Sequence, residues 1–144
     1  MRLFSQDTKV QALKGVPLFE DLSRKELIQL ERICEDLEVE PGRILCKEGQ
    51  TGQEFFVIVD GKVQVTRKGR RLSTLSSGDF LGEIALVTEL PRTATATAET
   101  PVRLFVLTRR EFHAVLDQNP RVERKVLRVL ARRLAETSSD PTLA

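Results

Sequence analysis

The sequence predicts an α+β fold in which a small antiparallel β-sandwich or roll lies between helical segments at both ends of the chain. Three observations carry this reading. Hydrophobic residues follow a helical period before Pro41-Gly42 and again after Leu107, with strand-like runs between them. Turns containing glycine recur through that middle stretch. No helix-length pattern separates one strand from the next, which argues against βαβ units and a parallel sheet.

Taken in order, "SQDTKVQALKG" reads as a short helix ended by Gly15, and "DLSRKELIQLERICEDL" as a longer one. Ser23 and Glu26 have the spacing of a capping box, and Leu22 with Leu27 that of a hydrophobic staple. Pro41-Gly42 forces a turn, and from Arg43 to about Leu107 the signals are β. "EFFVIVDGKVQVTRKGRRLSTL" gives two or three strands separated by Asp60-Gly61 and Lys68-Gly69, both hairpin signals. "TATATAET" alternates strictly, and "VRLFVL" is a further strand. Helices resume with a second capping box, Thr108 with Glu111, and a Leu107–Phe112 staple. Asn119 is the expected N-cap and Pro120 the first residue of the last helix, whose apolar stripe is Val122, Val126, Leu127, Val129, Leu130 and Leu134.

Composition excludes several classes of function. At 144 residues with 40% hydrophobic and 31% charged content, the chain is expected to form one domain with its own core. No run approaches the roughly 20 apolar residues of a membrane span, and the N-terminus turns polar too early for a signal peptide, so a cytoplasmic address is expected. With 23 bases against 21 acids the net charge is only +2, which does not point to nucleic acid. Cys34 and Cys46 lack metal-ligand or redox spacing and read as reduced thiols. His113 is the single histidine and reads as structural within a helix, so no metal or cofactor is expected. An enzyme is the weakest class, because no acid–base pair, metal set or activated nucleophile is evident.

The stretch "GEIALVTELPRTATATA", residues 82–98, places Glu83 and Arg92 in an otherwise small, apolar segment. Unpaired buried charges are costly there, so the two either pair with each other or wait for a ligand. Gly78 and Gly82 bracket a break in the strand pattern where one helical turn would expose free backbone N–H groups. Arg92, placed after Pro91, offers a planar fork of donors suited to phosphate. Glu83 repels phosphate and suits a hydroxyl donor beside it, as a ribose supplies.

"GEIAL" followed by "PRTA" resembles the phosphate-binding cassette of cyclic nucleotide-binding domains, the module shared by regulatory subunits of cyclic-AMP-dependent kinase, cyclic-nucleotide-gated channels and the catabolite activator protein. "PLFEDLS", "EPGRILCKEG" and "FFVIVDGKVQV" are similar to that family's entry helix and first strands, and the likeness covers roughly residues 15 to 136. The resemblance implies an eight-stranded antiparallel, jelly-roll-like β-roll flanked by N-terminal helices and two C-terminal helices. The chain would be a single domain, 1–144: a helical extension (1–14), the core module (15–136) and a frayed tail (137–144).

Carried over residue by residue, the resemblance implies that Gly82 and the amides of Ile84 and Ala85 approach the ligand. Glu83 would take the ribose 2′-hydroxyl, Arg92 the cyclic phosphate, and Thr93 would add its hydroxyl and amide to the phosphate. Val65 and Leu75 would line the base, with Leu130 and Arg133 capping it from the last helix. The expected ligand is cyclic AMP; the threonine at 93 keeps cyclic GMP, or both, as the alternative. The implied function is that of a stand-alone regulatory sensor whose last helix closes over the base and reports to an effector protein not yet identified. A homodimer through that helix is a further expectation.

Two rival readings stand beside it: an interaction module with a vestigial pocket, and a nucleic-acid-associated regulator. The bases Arg109, Arg110, Arg121, Arg124, Lys125, Arg128, Arg132 and Arg133 make either a solvated helix face or a surface for a partner, nucleic acid or acidic lipid. Only residues 137–144 follow Glu136, so no DNA-binding domain of the helix-turn-helix kind is expected.

Overall fold

Among the described residues, three helices open on a hydroxyl side chain that satisfies backbone N–H groups the helix itself leaves free. The computed structural model describes residues 8–137. Thr8 caps α1 (Lys9–Lys14) with Gln11 as its reciprocal partner, a box the sequence reading missed. One turn of 3-10 helix, Pro17–Phe19, leads to α2 (Arg24–Ile33). There Ser23 Oγ accepts from Glu26 N at 3.2 Å, and Glu26 Oε1 accepts from Ser23 N at 2.9 Å. Thr108 and Glu111 repeat the pattern at the start of α4 (Arg109–Gln118). The helix α5, Pro120–Thr137, follows. The expected tail begins within α5 at Thr137 and otherwise lies, like residues 1–7, outside the described residues.

Between these helices lie eight strands: β1 (Glu35–Val39), β2 (Ile44–Cys46), β3 (Glu54–Asp60), β4 (Val63–Arg67), β5 (Arg70–Leu75), β6 (Phe80–Leu81), β7 (Thr95–Ala98) and β8 (Val102–Thr108). They form two four-stranded sheets, ordered β1-β8-β3-β6 and β2-β7-β4-β5, with every pairing antiparallel. The α+β fold with an eight-stranded antiparallel roll is therefore as the sequence implied.

The two-residue period of β3 and β8 divides the interior into two cores. Phe55, Val57, Phe105 and Leu107 face the helices and join Leu13, Phe19, Leu27, Phe112, Val122 and Val126. Phe56, Ile58, Leu104 and Val106 face the other sheet and join Val63, Ala96 and Ala98. Both strands are buried on two faces, which is why their sequences run apolar instead of alternating.

Four local expectations need correction. The second helix stops at Ile33, and Glu35–Val39, read as its end or as connection, is a strand. Cys34 is already extended, and β1 gains pairing along β8 together with a two-pronged ion pair from the buried Arg103 to Asp36, at 2.7 and 3.0 Å. Asp60-Gly61 is not a hairpin: β3 and β4 belong to different sheets, and this turn carries the chain between them. Lys68-Gly69 does close the β4–β5 hairpin, with positive φ at both residues. Asn119 does not cap α5 with its side chain; its amide donates back to the Val115 carbonyl at 2.8 Å, closing α4. Leu127 is 49% exposed, since helical phase turns it away from the face formed by Val122, Val126 and Leu130.

Both cysteines are free thiols. Burial pushes the Cys34 thiol up to about 11, against a weaker opposing pull from Lys9. Among the described residues no helix is long and apolar enough to cross a membrane.

Candidate functional site

The inserted turn expected near residue 83 is present as α3 (Glu83–Thr88), following directly on β6. Gly82 precedes it at φ 104°, where a Cβ would stand 2.6 Å from the Glu54 carbonyl oxygen and 2.9 Å from Arg92 Nη1. Only glycine combines that left-handed backbone with so close an approach. Gly82 has no side chain to cap the helix, so the first N–H groups of α3 receive no side-chain cap among the described residues.

Arg92 is 8% exposed and its guanidinium is held by carbonyl oxygens: Nη1 donates to Gly82 at 3.1 Å and Nη2 to Glu54 at 2.7 Å. Its backbone exchanges hydrogen bonds with the preceding loop, Arg92 N to Gln50 O at 2.9 Å and Gly49 N to Arg92 O at 2.8 Å. Gly52 packs flat against the guanidinium; a Cβ there would lie 2.7 Å from Arg92 Cζ and from Ala85 Cβ. Among the described residues no carboxylate forms an ion pair with Arg92, so its charge is fixed in place but not neutralised.

Glu83 is fully buried. Its Oε1 accepts from Arg133 Nη1 at 2.6 Å, while Arg133 Nη2 donates to the Phe80 carbonyl at 2.7 Å and the guanidinium lies 5.5 Å from the Phe80 ring centre. Glu83 Oε2 is buried with no hydrogen-bond partner among the described residues. An acceptor left in that condition costs about 1–3 kcal/mol, and more when charged. Of the two readings left open for Glu83 and Arg92, mutual pairing is thus overturned. Each charge has its own support, and each keeps unused capacity.

Both charges line one cavity of about 390 Å³. Gly82, Ile84 and Ala85 form its α3 wall, Val65 and Leu75 its β4–β5 wall, Thr93 flanks Arg92, and Arg133 enters from α5. The Thr93 carbonyl accepts from Arg67 Nε at 2.8 Å. Nine of the ten residues singled out from sequence therefore meet here; the tenth, Leu130, does not. It is 6% exposed and does not line the cavity, and the α5 contribution comes instead from Arg133 and Glu136.

Sequence reasoning missed Arg67, Ser73, Leu72, Cys46 and Glu136 in the lining. Arg67 and Ser73 could have been found, since each lies two residues along a strand from an expected lining residue, Val65 and Leu75. Burial raises the Cys46 thiol while Arg92 pulls it the other way, so this wall presents a neutral sulfur. Three guanidinium groups (Arg67, Arg92, Arg133) face two carboxylates (Glu83, Glu136), and Arg133 already serves Glu83. The balance favours an anion that also carries a hydroxyl donor.

The profile of the cyclic nucleotide-binding domain matches residues 36–119 of the chain. A cAMP-dependent protein kinase regulatory subunit of Yarrowia lipolytica is 38% identical over 106 residues, 72% of this chain and 28% of that protein. A cyclic nucleotide-gated potassium channel of Rhizobium etli is 34% identical over 112 residues, 78% of this chain and 31% of the channel. The chain thus spans less than a third of these relatives' length. Among solved structures, the catabolite activator protein of Thermus thermophilus superposes with a TM-score of 0.73 at 30% identity, covering 83% of this chain and 59% of that one.

Proposed function

The chain belongs to the cyclic nucleotide-binding domain family, and from that premise we propose that it is a cyclic AMP sensor whose α5 end closes the site over the base. The observation that carries this reading is the pairing of unused capacities in one cavity: among the described residues, a buried carboxylate oxygen without a donor and a buried guanidinium without an anion. A 3′,5′-cyclic ribose phosphate supplies both missing partners from adjacent atoms. Its 2′-hydroxyl donates to Glu83 Oε2, and its phosphate takes the free N–H groups of Arg92, helped by the Thr93 hydroxyl and the first amides of α3. The base then lies between Val65 and Leu75 on one side and the Arg133 end of α5 on the other.

Arg133 gives the ligand a route to α5. Its bond to Glu83 Oε1 already ties the helix to the cavity, and a hydroxyl on Oε2 completes that carboxylate without displacing it. Occupancy shifts α5 only if the nucleotide prefers the closed arrangement, and each tenfold preference is worth about 1.4 kcal/mol. The family role is regulatory rather than catalytic, so an effector protein is the proposed receiver of the signal.

A second reading, cyclic GMP or both nucleotides, is favoured by one observation: Thr93 lines the cavity and its hydroxyl makes no hydrogen bond among the described residues, leaving it able to meet a guanine amino group. Thermal unfolding with each nucleotide tests both. Cyclic AMP at about one hundred times its Kd should stabilise by about 2.7 kcal/mol, raising Tm on the order of 10 °C. A larger rise with cyclic GMP at equal concentration would reassign the base, and no rise with either at millimolar concentration would overturn nucleotide sensing.

A further inference from the structure

The β4–β5 hairpin ends in the run Arg67-Lys68-Gly69-Arg70-Arg71, a block of bases larger than one cyclic phosphate needs. Local chemistry argues against this sequence at such a turn. Lys68 adopts φ 51° and Gly69 φ 76°, a turn whose first position suits asparagine or aspartate rather than lysine. Arg67 and Arg70 lie directly opposite each other across the two strands, where like charges destabilise a hairpin. A turn that breaks two local rules for the same kind of charge marks a place where something other than stability sets the sequence.

The tip stands at the mouth of the cavity. Arg67, Leu72 and Ser73 line it, and Leu72, which the strand register skips between Arg71 and Ser73, is 49% exposed, so the lining opens to solvent along this edge. Arg71 is already paired, its Nη2 meeting Glu99 Oε1 at 3.0 Å. Glu48 Oε1 reaches the tip and accepts from the Lys68 backbone N–H at 3.0 Å. Lys68 and Arg70 are exposed, and among the described residues neither pairs with a carboxylate. Arg67 Nε donates to the Thr93 carbonyl, which fixes the guanidinium beside the residue that follows Arg92. Of the two carboxylates in the lining, Glu83 is bonded to Arg133 and Glu136 enters from α5. Positive charge therefore runs from solvent at Lys68 and Arg70, through half-buried Arg67, to the buried Arg92.

We propose that the β4–β5 tip is an electrostatic entry track, which draws the anionic nucleotide to the mouth and speeds its association without adding contacts to the bound state. This rests on the proposed binding of a cyclic nucleotide. A cleft lip of one charge sign concentrates ligand of the other sign and raises on-rates by about 10- to 1000-fold at low salt, an effect that fades as the Debye length shrinks. Here the ligand carries a single negative charge and Glu48 offsets one of the three bases Arg67, Lys68 and Arg70, so the lower end of that range applies. Lys68 and Arg70 lie outside the lining, so dissociation is governed by Glu83, Arg92 and the walls around the base.

The experiment is stopped-flow association of a fluorescent cyclic AMP analogue at about 20 mM and about 500 mM ionic strength, with dissociation followed by a chase of unlabelled cyclic AMP. Three proteins are compared: the unmodified chain, Lys68→Glu combined with Arg70→Glu, and Arg24→Glu combined with Lys25→Glu. The last makes the same charge change on α2, which lines no part of the cavity. At low ionic strength the tip variant should associate about tenfold more slowly, yet dissociate within about twofold of the unmodified rate. Most of that deficit should vanish at high ionic strength, and the α2 variant should associate close to the unmodified rate. With the Arg67–Arg70 repulsion removed, the tip variant should also gain about 1–3 °C in Tm. Equal association of the tip variant and the unmodified chain at low ionic strength overturns the inference, as does equal slowing in the α2 variant or an affinity loss carried by dissociation alone. If the double tip variant does not fold, Arg70→Gln decides on the same comparison, with about two- to threefold slower association expected. Failure of the unmodified chain to bind any cyclic nucleotide overturns the binding reading itself, and this inference with it.

Discussion

At the scale of single residues, the site depends on charges that are immobilised but incompletely used. Glu83 is buried with one oxygen committed to Arg133 and the other idle. Arg92 is held by carbonyl groups that orient its fork without cancelling its charge. Preorganisation of this kind places the cost of burying the charges in the folded chain, so that the ligand meets donors and acceptors already aimed. Glu83→Gln, compared across ribose and 2′-deoxyribose ligands, separates the proposed ribose contact from the bond of Glu83 to Arg133. It keeps the size of the side chain but replaces the charged acceptor, and a hydrogen bond to a charged group is worth about 1.5–3 kcal/mol, roughly ten- to a hundredfold in affinity. The unmodified chain should therefore favour cyclic AMP over its 2′-deoxy analogue by at least about tenfold, and Glu83→Gln should shrink that ratio toward one. Competition titration checks this, and an unchanged ratio removes Glu83 from the ribose.

At the scale of elements, Arg133 fastens the far end of α5 to α3 through Glu83 and to β6 through the Phe80 carbonyl. The near end is fastened separately, by Lys125 to the Pro17 carbonyl at 2.7 Å and to the carboxylates of Glu20 and Asp21. Arg133→Ala should consequently speed amide exchange in the last two turns of α5 by about tenfold or more while α4 keeps its rates. Uniform acceleration through both helices would instead mean that Arg133 supports the whole helical layer. Elements also differed in how far they could be read from sequence. The capping boxes at Ser23 and Thr108 and the Lys68-Gly69 hairpin were legible because each is settled within four residues. The strand β1 was not, because Glu35–Val39 owes its state to pairing with β8 and to Arg103, a residue 67 positions from Asp36. The Asp60-Gly61 turn misled for a related reason: local chemistry sets the turn, but sheet membership decides whether its flanks pair.

At the scale of the molecule, the roll supplies two cores and places the cavity where the β4–β5 hairpin, α3 and the end of α5 converge. Most of the cavity's chemistry was legible because the cassette is contiguous, with Gly82, Glu83, Ile84, Ala85, Arg92 and Thr93 within one short segment. Its supports were not. Gly52, the Glu54 carbonyl, Arg67 and Arg109 reach it only through the fold, and Leu130 lies outside the lining because α5 turns Arg133 rather than Leu130 toward the cavity. In the proposed function, Arg92 waits for the phosphate of a nucleotide whose sugar is read by Glu83. Isothermal titration of cyclic AMP into the unmodified chain and into Arg92→Leu tests it most directly, with circular dichroism to confirm that the variant is folded. One site per chain is expected in the unmodified protein, with about a hundredfold weaker binding in folded Arg92→Leu. Equal affinity in the two proteins would contradict it.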